Sequence, residues 1–262
     1  VRGDKQIKGV DYHETYAPVV AWTTVRMMMV MAATLNLKTT QIDFSNAFVQ
    51  ADLLESVYIE LPTRFRPPTG SQGDYVLKLN KSLYGLCQAP KSWFDKLSTE
   101  LHGLGFVPSS NDPCMFVHPD MIILVYCDDC LIFSRDQSKV DDMIVRMRKA
   151  FPGGLTVEDS VFAFLGVEVF ADNKTGKIKL GQSGLIKKIL AATKLTDCNS
   201  KRTPASSTTL GSDQLGEECV AEWDYASVVG MLMYLSSNSR PDIQFAVHQC
   251  ARFTHSPRKS HE

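Results

Sequence analysis

The sequence has no surplus of positive charge. Its 262 residues contain 28 Lys and Arg against 29 Asp and Glu, which gives a formal net charge of −1. A protein that binds nucleic acid usually shows a basic footprint, so the composition argues against a generally basic surface. A local basic groove is still compatible with it, because lysines cluster within residues 78–91 and 177–188.

A long apolar run and a regular cysteine framework are also missing. No apolar stretch approaches the ~18 residues that a membrane-spanning helix needs, so we expect no membrane partner. Seven cysteines without a repeating spacing indicate reduced thiols and a cytosolic or nuclear setting. No signal-like segment follows Val1, and we expect both ends to be cut from a longer chain. The 44% hydrophobic content predicts a sizeable folded core.

Several catalytic motifs are absent or incomplete. There is no Gly-x-x-x-x-Gly-Lys-Ser/Thr loop, which argues against a nucleotide-hydrolysing motor. His13-Glu14 lacks the second histidine of a zinc-protease motif. Residues 127–130 fit the Cys-x-x-Cys pattern, but neither a second zinc-ligand pair nor the helix start of a redox site accompanies them.

What is present is a mixture of helical and strand patterns. Helical apolar spacing, with Thr23 or Thr24 as the first cap, predicts helices over residues 23–37, 90–104, 136–151, 183–195, 225–237 and 242–254, and a short one from residue 45. Strand patterns cover residues 37–44, 56–61, 75–79, 114–118, 121–134 and 162–180, the last two as hairpins, the latter turning at 172–176. Loops are expected over 64–73 and 203–216. Hairpins without regular strand–helix–strand units favour an α+β fold.

Two adjacent carboxylates interrupt the most apolar strand-forming segment. Residues 123–133 read Ile-Leu-Val-Tyr-Cys-Asp-Asp-Cys-Leu-Ile-Phe, which places Asp128 and Asp129 at a hairpin tip. Half-burying two like charges is costly unless a cation compensates, and Mg²⁺ prefers carboxylate and phosphate oxygens. The alternative is an ordinary turn with two solvated aspartates, although tight hairpins prefer Asn-Gly or Asp-Gly there.

A third acid ends another predicted strand. Asp43 lies in Gln-Ile-Asp-Phe-Ser-Asn-Ala-Phe, residues 41–48, where the alternative is a helix cap or a local turn. Asp52 is interpreted as a cap or surface residue. Carboxylates from separate strands that hold two metal ions ~3.5–4 Å apart form the clamp used for in-line phosphoryl transfer.

These segments resemble the motifs of one enzyme family. Residues 126–129, Tyr-Cys-Asp-Asp, resemble the Tyr-x-Asp-Asp signature of reverse transcriptases, and residues 41–48 resemble the segment with the first catalytic aspartate. Residues 79–93, Leu-Asn-Lys-Ser-Leu-Tyr-Gly-Leu-Cys-Gln-Ala-Pro-Lys-Ser-Trp, resemble the Leu-Tyr-Gly-Leu-x-Gln-Ala-Pro-x-x-Trp block of copia-type retrotransposons. Further similar segments, in the family's order, are residues 11–19 (fingers), 164–169 (primer grip), 203–204 (thumb linker) and 230–243 (the stretch toward RNase H).

The resemblance implies a right-hand polymerase fold, with an antiparallel palm sheet packed on helices. Residues 1–182 would form the fingers and palm. Residues 183–262 would form the thumb and the start of a connection toward an RNase H domain. The implied activity is that of an RNA-directed DNA polymerase, a nucleotidyltransferase that adds deoxynucleotides to a primer 3′ end by two-metal phosphoryl transfer.

The resemblance also assigns site residues. Asp43 and Asp128 would be the main metal ligands and Asp129 the third acid, with two Mg²⁺ ions, or Mn²⁺ as the alternative. Phe48 would act as a steric gate against the ribose 2′-OH, the group that distinguishes RNA from DNA precursors. Its alternative is a core aromatic on a short helix.

Three further residues would contact the substrates. Gln88 and Gly85 match the block that lines the nucleotide and template pocket, and their alternative is the turn that starts a helix at Pro90. Arg26 would contact the triphosphate, and its alternative is a solvated helix arginine. The implied partners are an RNA or DNA template with its primer, deoxynucleoside triphosphates, and the remaining polyprotein with RNase H and integrase, in cytoplasmic virus-like particles.

The sequence departs from the family pattern at several positions. Cys127 stands where an apolar residue is more usual, and Ala21 where the family often has Lys or Arg. Residues 159–161 replace an expected acid-Leu-Gly. Two alternatives stay open: a non-catalytic relic that binds nucleic acid or only packs in an assembly, and another two-metal palm enzyme such as a nucleotide cyclase. The Gln-Ala-Pro block and the primer-grip resemblance argue against the cyclase.

Overall fold

The computed structural model describes residues 1–62, 64–66, 69–70, 72–158, 163–172, 177–206, 208–220 and 222–262. The helices are α1 (Trp22–Leu35), α2 (Ala47–Gln50), α3 (Ala89–Gly103), α4 (Gln137–Ala150), α5 (Ser183–Ala192), α6 (Tyr225–Asn238) and α7 (Gln244–Ala251). Short 3-10 turns lie at Gly3–Lys5, Gln72–Asp74, Pro241–Ile243 and Lys259–His261. Among the described residues, no helix has the length and hydropathy that a membrane crossing requires.

Strands occur in both compact units of the chain, Val1–Val161 and Phe162–Glu262. The strands are β1 (Lys38–Phe44), β2 (Tyr58–Glu60), β3 (Val76–Lys78), β4 (Val107–Pro108), β5 (Met115–His118), β6 (Met121–Tyr126), β7 (Asp129–Ser134), β8 (Leu155–Glu158), β9 (Ala163–Phe164), β10 (Val167–Asp172) and β11 (Lys177–Gly181). The predicted α+β class is confirmed.

The first unit is built on a six-stranded antiparallel sheet with strand order β4-β5-β6-β7-β1-β8. In its central strand β7, Cys130, Leu131, Ile132 and Phe133 are each 1% exposed or less. Consecutive side chains of a strand point to opposite faces of the sheet, so both faces of β7 are covered. Asp129 therefore begins a strand that is covered on both faces.

Three helices bury the apolar stripes that their sequences predict. The buried residues are Val25, Met28, Met29 and Ala32 in α1, Ala89, Trp93, Leu97 and Leu101 in α3, and Val140, Met143, Ile144 and Met147 in α4. Their spacing of three and four residues is that of one helix face. The N-cap of α4 is Asp136, whose side chain accepts the backbone N–H of Ser138.

The prediction that Thr23 or Thr24 caps α1 is wrong. The N-cap residue is Ala21, which has no side-chain cap. A distant carboxylate replaces it, because Asp112 Oδ2 accepts the Ala21 N–H at 3.0 Å and the Thr24 hydroxyl at 2.6 Å. Asp112 is only 7% exposed, and its contact with Ala21 and Thr24 takes the place of a local cap at the start of α1.

Strand β8 is absent from the predicted elements. It pairs with β1, with Gln41 opposite Glu158 and Phe44 opposite Leu155. It is a short edge strand in which only Leu155 is buried, and it follows Gly154, whose φ is +100°. Its weak apolar pattern explains why sequence reasoning overlooked it.

The second unit holds a three-stranded antiparallel sheet, β11-β10-β9, together with α5, α6 and α7. The predicted hairpin over residues 162–180 is present as the β10–β11 pair, and β9 adds a strand to it. Its predicted turn lies largely outside the described residues. The helices bury a cluster of Ile189, Val228 and Leu235. The predicted division between residues 182 and 183 concerns polymerase subdomains and stays a prediction.

Candidate active site

The three predicted acids lie together at one end of the sheet. Strands β1 and β7 pair antiparallel so that Asp43 stands directly opposite Asp129. On the other side of β7, Asp129 pairs with Tyr126 of β6, and Asp128 lies in the turn between these two strands. Directly opposed residues of antiparallel strands have Cβ atoms about 4.5–5.5 Å apart, so backbone register alone brings Asp43 and Asp129 side by side.

The turn that carries Asp128 has an unusual backbone. Cys127 takes a φ of +52°, a left-handed conformation that costs a non-glycine residue about 1–3 kcal/mol. Two hydrogen bonds hold it: the Phe44 N–H donates to the Asp128 carbonyl at 3.0 Å, and the Trp93 indole N–H donates to the Cys127 carbonyl at 2.8 Å. Cys127 thus occupies a position where a hairpin tip would favour Gly or Asn.

Burial and neighbouring acids raise the pKa values of Asp43 and Asp129. Burial raises the pKa of the Asp43 carboxyl, and the charges of Asp128 and Glu158 raise it further. Burial followed by the charges of Asp128 and Asp43 also raises the pKa of Asp129, whereas the Gln41 amide opposes this by donating to Asp129 Oδ1 at 3.4 Å. Within the described part of the chain, no Lys, Arg or His forms an ion pair with these acids.

The donor set suits a hard divalent cation. Carboxylate oxygens are the ligands that Mg²⁺ prefers, usually one or two of them together with substrate phosphates and water. Yet no group of three His, Cys, Asp or Glu side chains in the described residues is already placed to hold an ion. The acids therefore fit the cation by chemistry and by backbone register, and their side chains would still have to converge on it.

Sequence reasoning missed two residues that lie beside the acids. Glu158 ends β8 and is exposed, and its charge raises the pKa of both Asp43 and Asp129. Burial raises the pKa of the Tyr84 hydroxyl, and the charges of Asp128 and Asp43 add to that effect. The alternation Leu-Thr-Val-Glu after Gly154 could have identified Glu158 as the end of a strand. The position of Tyr84 within the Leu-Tyr-Gly block could have identified it as a site residue.

Phe48 lies on α2 next to this group. Its half-buried side chain packs against the cluster of Val57, Leu86 and Ala89, and its ring centroid is 4.7 Å from that of Tyr84. Phe48 is therefore both a packed aromatic and a neighbour of Tyr84, whose pKa the charges of Asp128 and Asp43 raise. Its role as a steric gate stays a prediction.

Gln88 and Gly85 are tied to the N-terminal segment. Gln88 is 2% exposed, its Nε2 donates to the Asp11 carbonyl at 2.9 Å, and its Oε1 accepts from Gln6 Nε2 at 3.0 Å. Gly85 has a φ of +93°, and a Cβ at this position would lie 2.3 Å from the Val1 carbonyl oxygen. Both residues thus have clear structural roles, and their predicted contacts with substrate stay predictions.

Arg26 lies on α1, with its guanidinium carbon 6.0 Å from the centroid of the Trp22 ring. This stacking is typical of arginine beside an aromatic face. The predicted contact between Arg26 and a triphosphate stays a prediction.

The cysteines beside the acids are poor candidates for redox or zinc chemistry. Full burial raises the pKa of the Cys130 thiol well above its ordinary value, and nearby carboxylates raise it further. Burial and the charges of Asp128 and Asp129 raise the pKa of Cys127 in the same way. The thiolate is the reactive and metal-binding form, so these surroundings disfavour it.

The chain is similar to proteins of one enzyme family. A sequence profile described as reverse transcriptase (RNA-dependent DNA polymerase) matches residues 1–207. The retrovirus-related Pol polyprotein from transposon TNT 1-94 of Nicotiana tabacum is 31% identical over 100% of this chain and 20% of its own length. That from transposon RE1 of Arabidopsis thaliana is 32% identical over 99% of this chain and 18% of its own length. The chain thus spans about a fifth of these relatives.

Proposed function

The chain belongs to the reverse transcriptase (RNA-dependent DNA polymerase) family, and we propose that it is the polymerase core of a copia-type Pol polyprotein. In this proposal it adds deoxynucleotides to a primer 3′ end. Residues 1–182 correspond to the fingers and palm of a right-hand polymerase, and residues 183–262 to the thumb and the start of the connection toward RNase H.

One observation carries the proposal. The register of β1 and β7 sets Asp43 opposite Asp129, next to the turn residue Asp128. Three half-buried acids without a paired cation among the described residues weaken the fold. Such an arrangement is understandable where the charge is needed for chemistry, since active sites concentrate groups with shifted pKa values.

The proposed mechanism assigns each acid a place. Asp43 and Asp128 would hold two Mg²⁺ ions, or Mn²⁺, with Asp129 as the third carboxylate. Bound divalent cations would lower the charge repulsion among the reacting oxygens and activate the primer 3′-hydroxyl. The acids themselves fix where the primer end and the triphosphate meet, and positioning of this kind supplies much of the rate in phosphoryl transfer.

The residues around the acids would select the nucleotide. The rings of Phe48 and Tyr84 are tilted against each other with centroids 4.7 Å apart, beside the acidic cluster, where a ribose would have to fit. The bulk of Phe48 would exclude a 2′-hydroxyl. Gly85 and Gln88 would shape the template side of this pocket by holding the preceding loop, and Arg26 would contact the triphosphate.

The proposed partners follow from the polyprotein context. They are an RNA or DNA template with its primer, bound through shape and backbone rather than sequence, deoxynucleoside triphosphates, and the remaining polyprotein with RNase H and integrase. The proposed setting is a cytoplasmic virus-like particle.

The test is Mg²⁺-dependent extension of a DNA primer on an RNA template. The wild-type chain is compared with the double variant Asp128→Asn/Asp129→Asn, and with Asp136→Asn as a control at the opposite end of β7. We expect incorporation by the wild type and the control, and none above background by the double variant.

Two outcomes would count against the proposal. Equal extension by the wild type and the double variant would remove the acids from the reaction. Template binding by a folded wild type that incorporates nothing, even with its flanking polyprotein segments restored, would favour the non-catalytic relic.

A further inference from the structure

Trp93 reaches from α3 to the acid-bearing turn. It is 1% exposed, and its indole nitrogen is its only side-chain donor. That N–H donates to the backbone carbonyl of Cys127 at 2.8 Å. The acceptor belongs to the residue that immediately precedes Asp128 in the chain.

The acceptor is a strained point of the backbone. Cys127 has a φ of +52°, which non-glycine residues rarely adopt. The next carbonyl, that of Asp128, accepts the N–H of Phe44 at 3.0 Å. Two successive carbonyls of the turn are therefore held by groups from outside it, and together they fix the peptide planes on either side of the Asp128 Cα.

The Trp93 indole packs in an aromatic cluster. The Trp93 ring centroid is 5.1 Å from that of Phe44 and 5.4 Å from that of Phe151, both edge-on. Phe44 and Phe151 contact each other at 4.8 Å and are each 1% exposed or less. Phe44 also follows Asp43 in β1, so one packed cluster reaches both segments that carry the acids.

We propose that Trp93 is a positioning residue: its indole N–H holds the Cys127–Asp128 turn in the left-handed conformation that aims the Asp128 carboxylate at the cation. This inference rests on the proposed polymerase function. It gives the Trp of the Gln-Ala-Pro-Lys-Ser-Trp block a task beyond core packing. Loss of the hydrogen bond should leave the fold intact while the turn samples other conformations.

The test separates the hydrogen bond from the packing. Trp93→Phe removes the N–H but keeps an aromatic ring in the cluster, whereas Phe151→Leu disturbs the same cluster and keeps the N–H. Small displacements of catalytic groups can reduce rates strongly, so we expect Trp93→Phe to lower kcat on the order of 10- to 100-fold. Phe151→Leu should lower the unfolding midpoint at least as much and leave kcat within about threefold, because packing alone then changes.

A rescue variant tests the role of the strain. Glycine adopts positive φ without steric cost, so Cys127→Gly lets the turn keep its conformation without the indole. We expect Trp93→Phe/Cys127→Gly to recover kcat by about threefold or more over Trp93→Phe alone. Purely structural damage from the lost indole would not be repaired in this way.

Two readouts do not depend on turnover. Amide hydrogen exchange of residues 126–130 should speed up at least about tenfold in Trp93→Phe and not in Phe151→Leu. The affinity for Mn²⁺, followed by its electron spin resonance signal, should fall by about tenfold in Trp93→Phe only. An inactive wild type would overturn the proposed function, while these two measurements would still decide the Trp93 inference. Unchanged exchange and unchanged Mn²⁺ affinity in Trp93→Phe would overturn it.

Discussion

The acids at the two ends of strand β7 have pKa values shifted in opposite directions. At the start of the strand, Asp129 lies among other carboxylates, and burial and their charges raise its pKa. Beyond the other end, Asp136 accepts the Ser138 N–H at 3.0 Å and the Ser138 hydroxyl at 2.7 Å, which lowers its pKa. At that same end Asp120 pairs with Lys139.

This difference indicates that Asp136 contributes to stability, whereas Asp129 is retained at a cost to stability. Asp136 caps α4 and meets donors that favour its charged form, an arrangement that stabilises the fold. Asp129 meets charges that disfavour its charged form, and its described neighbours include no paired cation. A protein keeps such an unfavourable cluster where activity requires it. The start of β7, with Asp43, Asp128 and Asp129, is its acidic end, and the region beyond Ser134, with Asp120, Asp136 and Lys139, is its paired end.

The largest expected effect is on catalysis at the acidic end. Asp43→Asn removes a proposed cation ligand that lies opposite Asp129, and we expect primer extension to fall at least about a thousandfold. Asp120→Asn at the paired end breaks the contact with Lys139 and should change the rate less than about threefold. Single-turnover extension kinetics measure both. Similar losses of extension rate in the two variants would show that the two ends do not differ in function.

The next effect concerns nucleotide selection. Phe48→Val opens the space beside Tyr84, and we expect the preference for deoxynucleotides over ribonucleotides to fall by about 10- to 100-fold, as for other pockets defined by shape. The ratio of kcat/KM for the two nucleotides is the measurement. Phe106→Val is the matched change near the paired end, where Phe106 contacts His118 with ring centroids 5.1 Å apart. It should lower stability and leave the ratio unchanged, and a ratio unchanged in Phe48→Val as well would rule out the gate.

The pH dependence of stability should have opposite signs at the two ends. Because the folded-state pKa of Asp129 is raised above its ordinary value of 3.8, its favourable contribution exists below that value and is lost as pH rises through the folded pKa. Asp129→Asn should therefore stabilise the metal-free protein near neutral pH, because the variant side chain carries no charge among the other carboxylates.

Asp136 provides the converse case. Its folded-state pKa is lowered from 3.8, so its contribution exists above that value and is lost as pH falls through the folded pKa. Asp136→Asn should be less stable than the wild type at neutral pH. The two proteins should become equally stable in acid, where Asp136 is protonated. Unfolding midpoints of the wild type and both variants between about pH 3 and 8 test the pair, and curves that shift in the same direction would contradict the comparison.

The smallest effect is expected from the ion pair at the paired end. Lys139 and Asp120 are both partly exposed, with side-chain exposures of 48% and 35%. Exposed pairs contribute little, so Lys139→Met should lower the free energy of unfolding only slightly, the smallest change in this series. Combining it with Asp120→Asn should cost less than the sum of the two single changes, since the pair is lost only once. A larger loss, or any loss of primer extension, would show that the two ends are not independent.

The sequence predicts the central hairpin because its residues leave few alternatives. Residues 121–134 are apolar on both sides of the two acids, and such a run forms buried strands. The position of Asp43 at the end of β1 follows in the same way from its alternating apolar residues. The adjacency of Asp43, Asp128 and Asp129 came from resemblance to a family, since pairing between distant strands is not visible in local patterns.

What the sequence could not predict are contacts between distant segments. Asp112 completes the start of α1 from about 90 residues away, and a local capping rule points instead to Thr23 or Thr24. The hydrogen bond from Trp93 to Cys127 likewise joins two elements whose orientation only the folded core defines. Glu158 joins the acids through a short edge strand whose own apolar signal is weak.

The most direct test of the acidic end is the thermal unfolding midpoint with and without Mg²⁺. Wild type is compared with Asp128→Asn/Asp129→Asn near neutral pH, first in a chelating buffer and then with Mg²⁺ added. We expect the double variant to be the more stable protein without the cation, and only the wild type to gain stability when Mg²⁺ is present. A wild type that is the more stable protein without the cation and does not respond to Mg²⁺ would show that these acids are neither destabilising nor a cation site.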